Sequence, residues 1–177
     1  MKYAIVCLIK GDAEKFSETI RSDVAKKFNV TRAIKKNPPS HITLKYPFET
    51  KKIKELEKII ENFGNSNKRA KYKLNGYDSF GKNVIFIKIE PSNEMTNIHK
   101  KLIDELKKIK WMTWREFDGN VHFHASVAHS DVNEKNFNEI WDYVNKNKPK
   151  FNLFFDNITL LKLSGGLWKV HKEFIMH

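Results

Sequence analysis

Two short stretches of the chain carry residues suited to moving protons. His41-Ile42-Thr43-Leu44 and His124-Ala125-Ser126-Val127 share one order: histidine, an apolar or small residue, a hydroxyl, an apolar residue. Imidazole titrates near neutral pH, so two histidines can supply a base that deprotonates an attacking oxygen and an acid that protonates a departing one. Displacement at phosphorus needs both. Thr43 and Ser126 suit the non-bridging oxygens, where negative charge is greatest in the transition state. With seven histidines, chance alone supplies about 0.6 His-x-Ser/Thr triplets, so the weight of the pattern comes from its surroundings.

Both motifs lie in apolar, strand-like sequence, "PSHITLKYPF" and "NVHFHASVAHSD". Side chains two apart on a strand share a face, so each imidazole projects beside its own hydroxyl while Ile42, Leu44 and Val127 pack on the other side. A pseudo-twofold relation between two such strands would place two histidines around one anion, with two hydroxyls on its oxygens. That is a phosphodiester site. By the same alternation Lys45 shares the face of His41 and Thr43, and either Lys45 or Tyr46 is a candidate for binding phosphate or stacking on a base. His129 is an odd number of residues from His124 and should point away in a regular strand.

The elements around the motifs follow one another in a repeated order. "KYAIVCLI" reads as a strand; Ala13 to Phe28 carries Phe16, Ile20, Val24 and Phe28 at helical spacing behind an Asp12 N-cap; Pro38-Pro39 then bars a helix from entering the first motif strand. A helix from Lys51 to about Phe63 follows, and then "YKLNGYDSF" and "VIFIKIE", joined by Gly81-Lys82-Asn83 as an antiparallel hairpin. From Ser92 the order restarts: a helix through Ile98, Leu102 and Leu106, the strand "VHFHASVAH", a helix through Phe137, Ile140 and Val144, and strand-like "FNLFFDNITLLKL" and "WKVHKEFIM". Strands alternating with helices in this way predict an α/β or α+β arrangement in one compact unit, 1–177, with sheets facing each other across a cleft.

Composition narrows the partners. A net charge of +12 and many lysines favour polyanions, RNA or phosphorylated small molecules. No apolar run is long enough for a membrane span or reads as a signal peptide, so the expected location is the cytoplasm, without a membrane partner. The single cysteine, Cys7, sits in an apolar strand pattern and is expected to be a buried, inert thiol. His122, His124 and His129 cluster with Asp131, but no Cys or Glu completes a metal-ligand spacing, so neither metal nor cofactor is expected. A glycine-rich phosphate loop, a G-x-S-x-G elbow and an H-E-x-x-H pair are all lacking. Phe80 at the hairpin and Trp168 after "SGG" are candidates for the cleft mouth, and Arg115 in "WMTWREFDG" is a candidate phosphate contact.

With the proline-led "PPSHITL" and the later "HFHASVAH" in this order, nearly the whole chain resembles the two-histidine (2H) phosphoesterase superfamily, which includes the RNA 2′,3′-cyclic phosphodiesterases historically called 2′-5′ RNA ligases. The resemblance implies a bilobal α+β fold of two pseudo-symmetric sheet-and-helix lobes around a cleft, and metal-independent cleavage of cyclic phosphates or related phosphodiesters on RNA ends or small nucleotides. It further implies that His41 and His124 are acid and base and that Thr43 and Ser126 bind phosphate, with no obligate protein partner. Several RNA-acting members carry an arginine where this chain has His129. The alternatives are a non-catalytic RNA-binding module and a cyclic phosphodiesterase for a non-nucleic small molecule.

Overall fold

A computed structural model describes residues 1–119 and 122–177. Among the described residues eight strands form two antiparallel four-stranded sheets, an α+β architecture. The first sheet has the order β2 (His41–Glu49), β1 (Lys2–Leu8), β7 (Asn157–Ser164), β8 (Leu167–Ile175). The second has β5 (His124–His129), β4 (Val84–Pro91), β3 (Ala70–Phe80), β6 (Lys150–Phe155). Each histidine motif therefore occupies an edge strand, with β1 and β4 as the equivalent neighbours. The expected strand "VHFHASVAH" is observed from His124 onward; Val121 lies outside the described residues. No helix among the described residues is long and apolar enough to cross a membrane.

The order β-α-β-α-β occurs twice, as β1, α1 (Asp12–Phe28), β2, α2 (Ile53–Ser66), β3 and then β4, α3 (Asn93–Lys107), β5, α4 (Phe137–Val144), β6. β1 is buried at every position from Tyr3 to Cys7 because it lies inside its sheet with both faces covered, which is why it reads as an unbroken apolar run. α1 begins on Gly11 rather than on an Asp12 cap; Asp12 falls in the first turn, where its carboxylate pairs with Lys15. Ser92 caps α3, its side chain accepting from the Met95 amide at 3.2 Å. The apolar run "FNLFFDNITLLKL" divides at Asp156, where the chain passes from the second sheet (β6) to the first (β7). A single apolar cluster, including Ile5, Ile42, Leu44, Leu74, Ile85, Ile87, Leu102 and Val127, joins both sheets.

Strand alternation breaks once in each motif, at the same place. On β1, Ile5 and Val6 are adjacent, but their partners on β2 are Lys45 and Thr43; on β4, Ile85 and Phe86 face Ala128 and Ser126 on β5. Each motif strand holds an extra residue at this place, a β-bulge, and β2 has a second irregularity beyond it, between Lys45 and Phe48. Burial follows: His41, Thr43 and Tyr46 are half-buried while Ile42, Leu44 and Lys45 are buried, and His124, Ser126 and His129 are half-buried while Ala125, Val127 and Ala128 are buried. Lys45 thus turns away from the face of His41 and Thr43, and Tyr46 and His129 return to the motif faces.

Lys45 goes inward with a partner. Its Nζ donates to Asp118 Oδ2 at 2.7 Å, both side chains being 0% exposed, and sits 5.0 Å from the Trp114 ring. Asp118 Oδ1 accepts from the Tyr46 amide at 2.9 Å and Oδ2 from the Arg115 amide at 2.6 Å, so one carboxylate pins the bulge of β2 to the 3₁₀ turn Glu116–Gly119. Breaking a buried pair strands a charge, whereas removing both partners does not. Lys45→Met and Asp118→Leu are each expected to lower unfolding free energy by about 3–5 kcal/mol, and the double variant by much less than their sum. Denaturant titration of the four proteins tests this, and additive losses would contradict it.

Candidate active site

β2 and β5 approach each other across the two sheets, each braced by the helix of the other unit. α1 packs on β5, and from α3 the buried His99 donates its Nε2–H to the Leu44 carbonyl at the β2 bulge, 2.9 Å away. Between the strands lies a pocket of about 340 Å³ whose lining includes His41, Thr43, Tyr46, His124, Ser126 and His129. Its far wall is apolar: Ala4 and Leu161, buried in a small cluster with Val6, and Trp168, whose amide donates to the Lys36 carbonyl at 2.8 Å.

The two rings are held the same way. His41 Nδ1 lies 2.7 Å from the carbonyl of Pro39, and His124 Nδ1 lies 2.6 Å from the carbonyl of His122. A carbonyl only accepts, so Nδ1 carries the proton in each neutral ring and Nε2 keeps its lone pair. Burial pushes the His41 pKa down to about 4; the Pro39 bond opposes this, and the charges of Arg21 and His124 add to it. Burial also lowers His124, against its bond to the His122 carbonyl, and lowers His129, with Asp131 opposing and Arg21 and Arg32 reinforcing. At neutral pH the pocket therefore presents imidazoles able to accept a proton. An anion bound between them would raise both pKa values and make either ring a proton donor.

The other expected residues divide by position. Tyr46, His129 and Trp168 line the pocket. Phe80 stands outside the lining, its ring edge-on to His124 at 5.1 Å and against Phe86 at 4.5 Å, where it packs the His124 ring from the side. Arg115 is exposed and away from the lining, and its amide closes the turn at Asp118. Lys45 is sequestered by Asp118. Cys7 is fully buried and burial pushes its thiol pKa up, so it stays protonated. The described residues hold no cluster of three or more metal-ligating side chains.

Arg21, on α1, is a lining residue that motif reading passed over. It is 6% exposed, and it donates through Nη2 to the Ala33 carbonyl at 2.9 Å and through both Nη atoms to the Pro38 carbonyl at 3.2 Å. Its signal was present: Ser17, Arg21 and Val24 follow one another at helical spacing on the buried side of α1, and an arginine there is unusual.

Two antiparallel sheets carrying a His-x-hydroxyl strand at corresponding edges define the class, a two-histidine (2H) phosphoesterase. The sequence model of the 2′-5′ RNA ligase superfamily matches residues 12–167, and the chain belongs to that superfamily. It is 26% identical over 185 residues to GK0864 of Geobacillus kaustophilus, a protein provisionally named a phosphoesterase, covering 99% of this chain and 96% of that one. A Bacillus licheniformis protein with the same provisional name is 25% identical over 186 residues, covering 99% of each chain. Among solved structures, TT0787 of Thermus thermophilus matches with a TM-score of 0.65 at 12% identity, covering 99% of this chain and 98% of that one. Escherichia coli LigT complexed with 3′-AMP matches with 0.63 at 14%, covering 99% and 97%. These likenesses carry the fold.

The ring geometry has a spectroscopic consequence. In 15N NMR, His41 and His124 are expected as Nδ1–H tautomers, His41 titrating at about 4 and His124 below the ordinary 6.5. Because the folded state refuses protons that the unfolded chain accepts, stability should hold above pH 6.5 and decline as pH falls toward the folded values. Ordinary titration of both rings near 6.5 would contradict the burial that lowers them.

Proposed function

We propose that this 2H phosphoesterase opens a 2′,3′-cyclic phosphate, or cleaves a related phosphodiester, on an RNA end or a small nucleotide, without a metal ion. The observation that carries the reading is the matched pair of rings, each donating Nδ1–H to the carbonyl two residues upstream and leaving Nε2 free in one pocket. His41, neutral in the unliganded pocket with its Nε2 lone pair free, takes a proton from the attacking water. His124 returns one to the departing ribose oxygen, its charge favoured by the bound phosphate. Thr43 and Ser126 donate to the non-bridging oxygens. Reversal of the reaction exchanges the two roles.

A nucleotide is favoured by what borders the phosphate position. Ala4, Leu161 and Trp168 form an apolar wall suited to a ribose or base. E. coli LigT has been solved complexed with 3′-AMP and with ATP, which supports a nucleotide ligand here. For RNA, support comes from the second sheet. His124 faces Lys88 across the β5–β4 pair; further along the same sheet stand exposed Lys73 and Lys71, the latter opposite Phe154 with Arg69 4.3 Å from its ring. Basic side chains beside a stacking ring suit a single strand.

Two measurements test this. Hydrolysis of the four nucleoside 2′,3′-cyclic phosphates and of a short RNA ending in one, with EDTA present, is expected to proceed and to fall about 10²–10⁴-fold in His41→Ala and in His124→Ala. Turnover surviving in both variants, or abolished by EDTA, would refute the mechanism. Lys71→Ala/Lys73→Ala should weaken use of the RNA, lowering its salt dependence by about two in logarithmic slope, while mononucleotide turnover stays unchanged; equal loss on both substrates would argue against an RNA path over this sheet.

A further inference from the structure

The pocket has a charge arrangement that the two motifs do not explain. Among its described lining residues Arg21 is the one lysine or arginine. The lysine next to the first motif is tied to Asp118. Arg21 itself is more than nine-tenths buried, with two backbone carbonyls as acceptors; among the described residues no carboxylate pairs with it and its Nε has no hydrogen-bond partner. Glu18, one turn earlier on α1, is exposed and acts on it only from beyond ion-pair range. A guanidinium remains charged in proteins, and a buried charge facing only neutral dipoles lacks an anion.

We propose that Arg21 is a ligand of the substrate's phosphoryl group, reaching it from α1 and supplying the pocket's fixed positive charge. This rests on the phosphoester reading above and extends it to a residue outside both motifs. The charge lies where a phosphate would need it: Arg21 lines the pocket with His41 and His129, and its positive charge is felt by both rings. The neutral rings attract an anion only weakly before it arrives, whereas Arg21 attracts it at every working pH. As negative charge accumulates on the non-bridging oxygens, a guanidinium in a water-poor site stabilises it with no reorganisation.

The anchoring of Arg21 ties this role to catalytic geometry. Its Nη atoms hold the carbonyls of Ala33 and Pro38, in the segment that ends at Pro39, whose own carbonyl orients His41. One guanidinium thus fixes the loop that sets the His41 tautomer while it lines the pocket beside that ring. Helix α1 packs on β5, so the same side chain is held against the His124 strand.

The experiment uses inorganic phosphate as the probe, apart from turnover. Phosphate should raise the melting temperature of the wild type; Arg21→Gln should lose that rise, and Arg21→Lys, which keeps a point charge, should retain part of it. With a cyclic nucleotide substrate, kcat/KM is expected to fall at least tenfold in Arg21→Gln and less in Arg21→Lys, a rescue by charge that a purely structural role would not give. In the unaltered protein the Arg21 guanidinium N–H resonances should shift as phosphate is added, which decides the matter even if the glutamine variant does not fold. Unmoved guanidinium signals, or a folded Arg21→Gln that binds phosphate as the wild type does, overturn the proposal. Absence of wild-type turnover with phosphate binding still dependent on Arg21 would sink the phosphoesterase chemistry and leave this anion site standing.

Discussion

One extra residue in each of two strands decides which side chains share the pocket. Had β2 and β5 alternated regularly, Lys45 and Ala128 would face the cleft while Tyr46 and His129 faced the core. The bulges at corresponding positions reverse this from the hydroxyl residue onward. A histidine, a hydroxyl and a third polar ring then stand on one face of each edge strand, and the two faces meet. Inserted residues of this kind re-aim side chains at the cost of local ladder bonds, so the strand needs support behind it. Here the support is specific. Asp118 takes the Lys45 ammonium and the Tyr46 amide, and His99 takes the Leu44 carbonyl, so the polar groups disturbed by the first bulge are satisfied inside the fold.

The pseudo-symmetry of the halves is strict where the chemistry requires it and loose elsewhere. Both imidazoles use the carbonyl two residues upstream, and both motif strands are edges with one neighbour. The surroundings differ. The first-sheet side of the pocket is apolar, with Ala4, Leu161 and Trp168, whereas the second sheet continues past His124 into lysines. On the proposed function, a doubled site in an undoubled cleft would distinguish the two ends of its ligand: the phosphoryl group would meet matched partners and the groups attached to it would not. The same asymmetry separates the rings, since the depression of His41 draws on Arg21 as well as on burial.

Local pattern was enough for the element order, the hairpin at Gly81–Asn83, the α+β class and the His-x-hydroxyl motifs, because each depends on periodicity or turn chemistry within a few residues. It was enough to pair Tyr46, His129 and Trp168 with the motifs as neighbours, though Tyr46 and His129 only against the alternation. Lys45 shows where such reasoning ends: parity within a strand assumes an unbroken ladder, and a bulge is written in the partner strand as much as in its own. The run ending in "NITLLKL" likewise gave no sign that Asp156 hands the chain from one sheet to the other.

By itself, then, the sequence determined that the chain carries two His-x-hydroxyl strands, since residue types two apart on a strand are a local matter. Tertiary structure alone decided which residues converge. The tautomers of His41 and His124, the removal of Lys45 to Asp118 and the arrival of Arg21 from a helix twenty residues before the first motif all depend on contacts between segments distant in the chain. The physical reason is burial: a polar group enclosed in a fold must find its partner there, and which partner it finds is settled by packing and not by sequence neighbours.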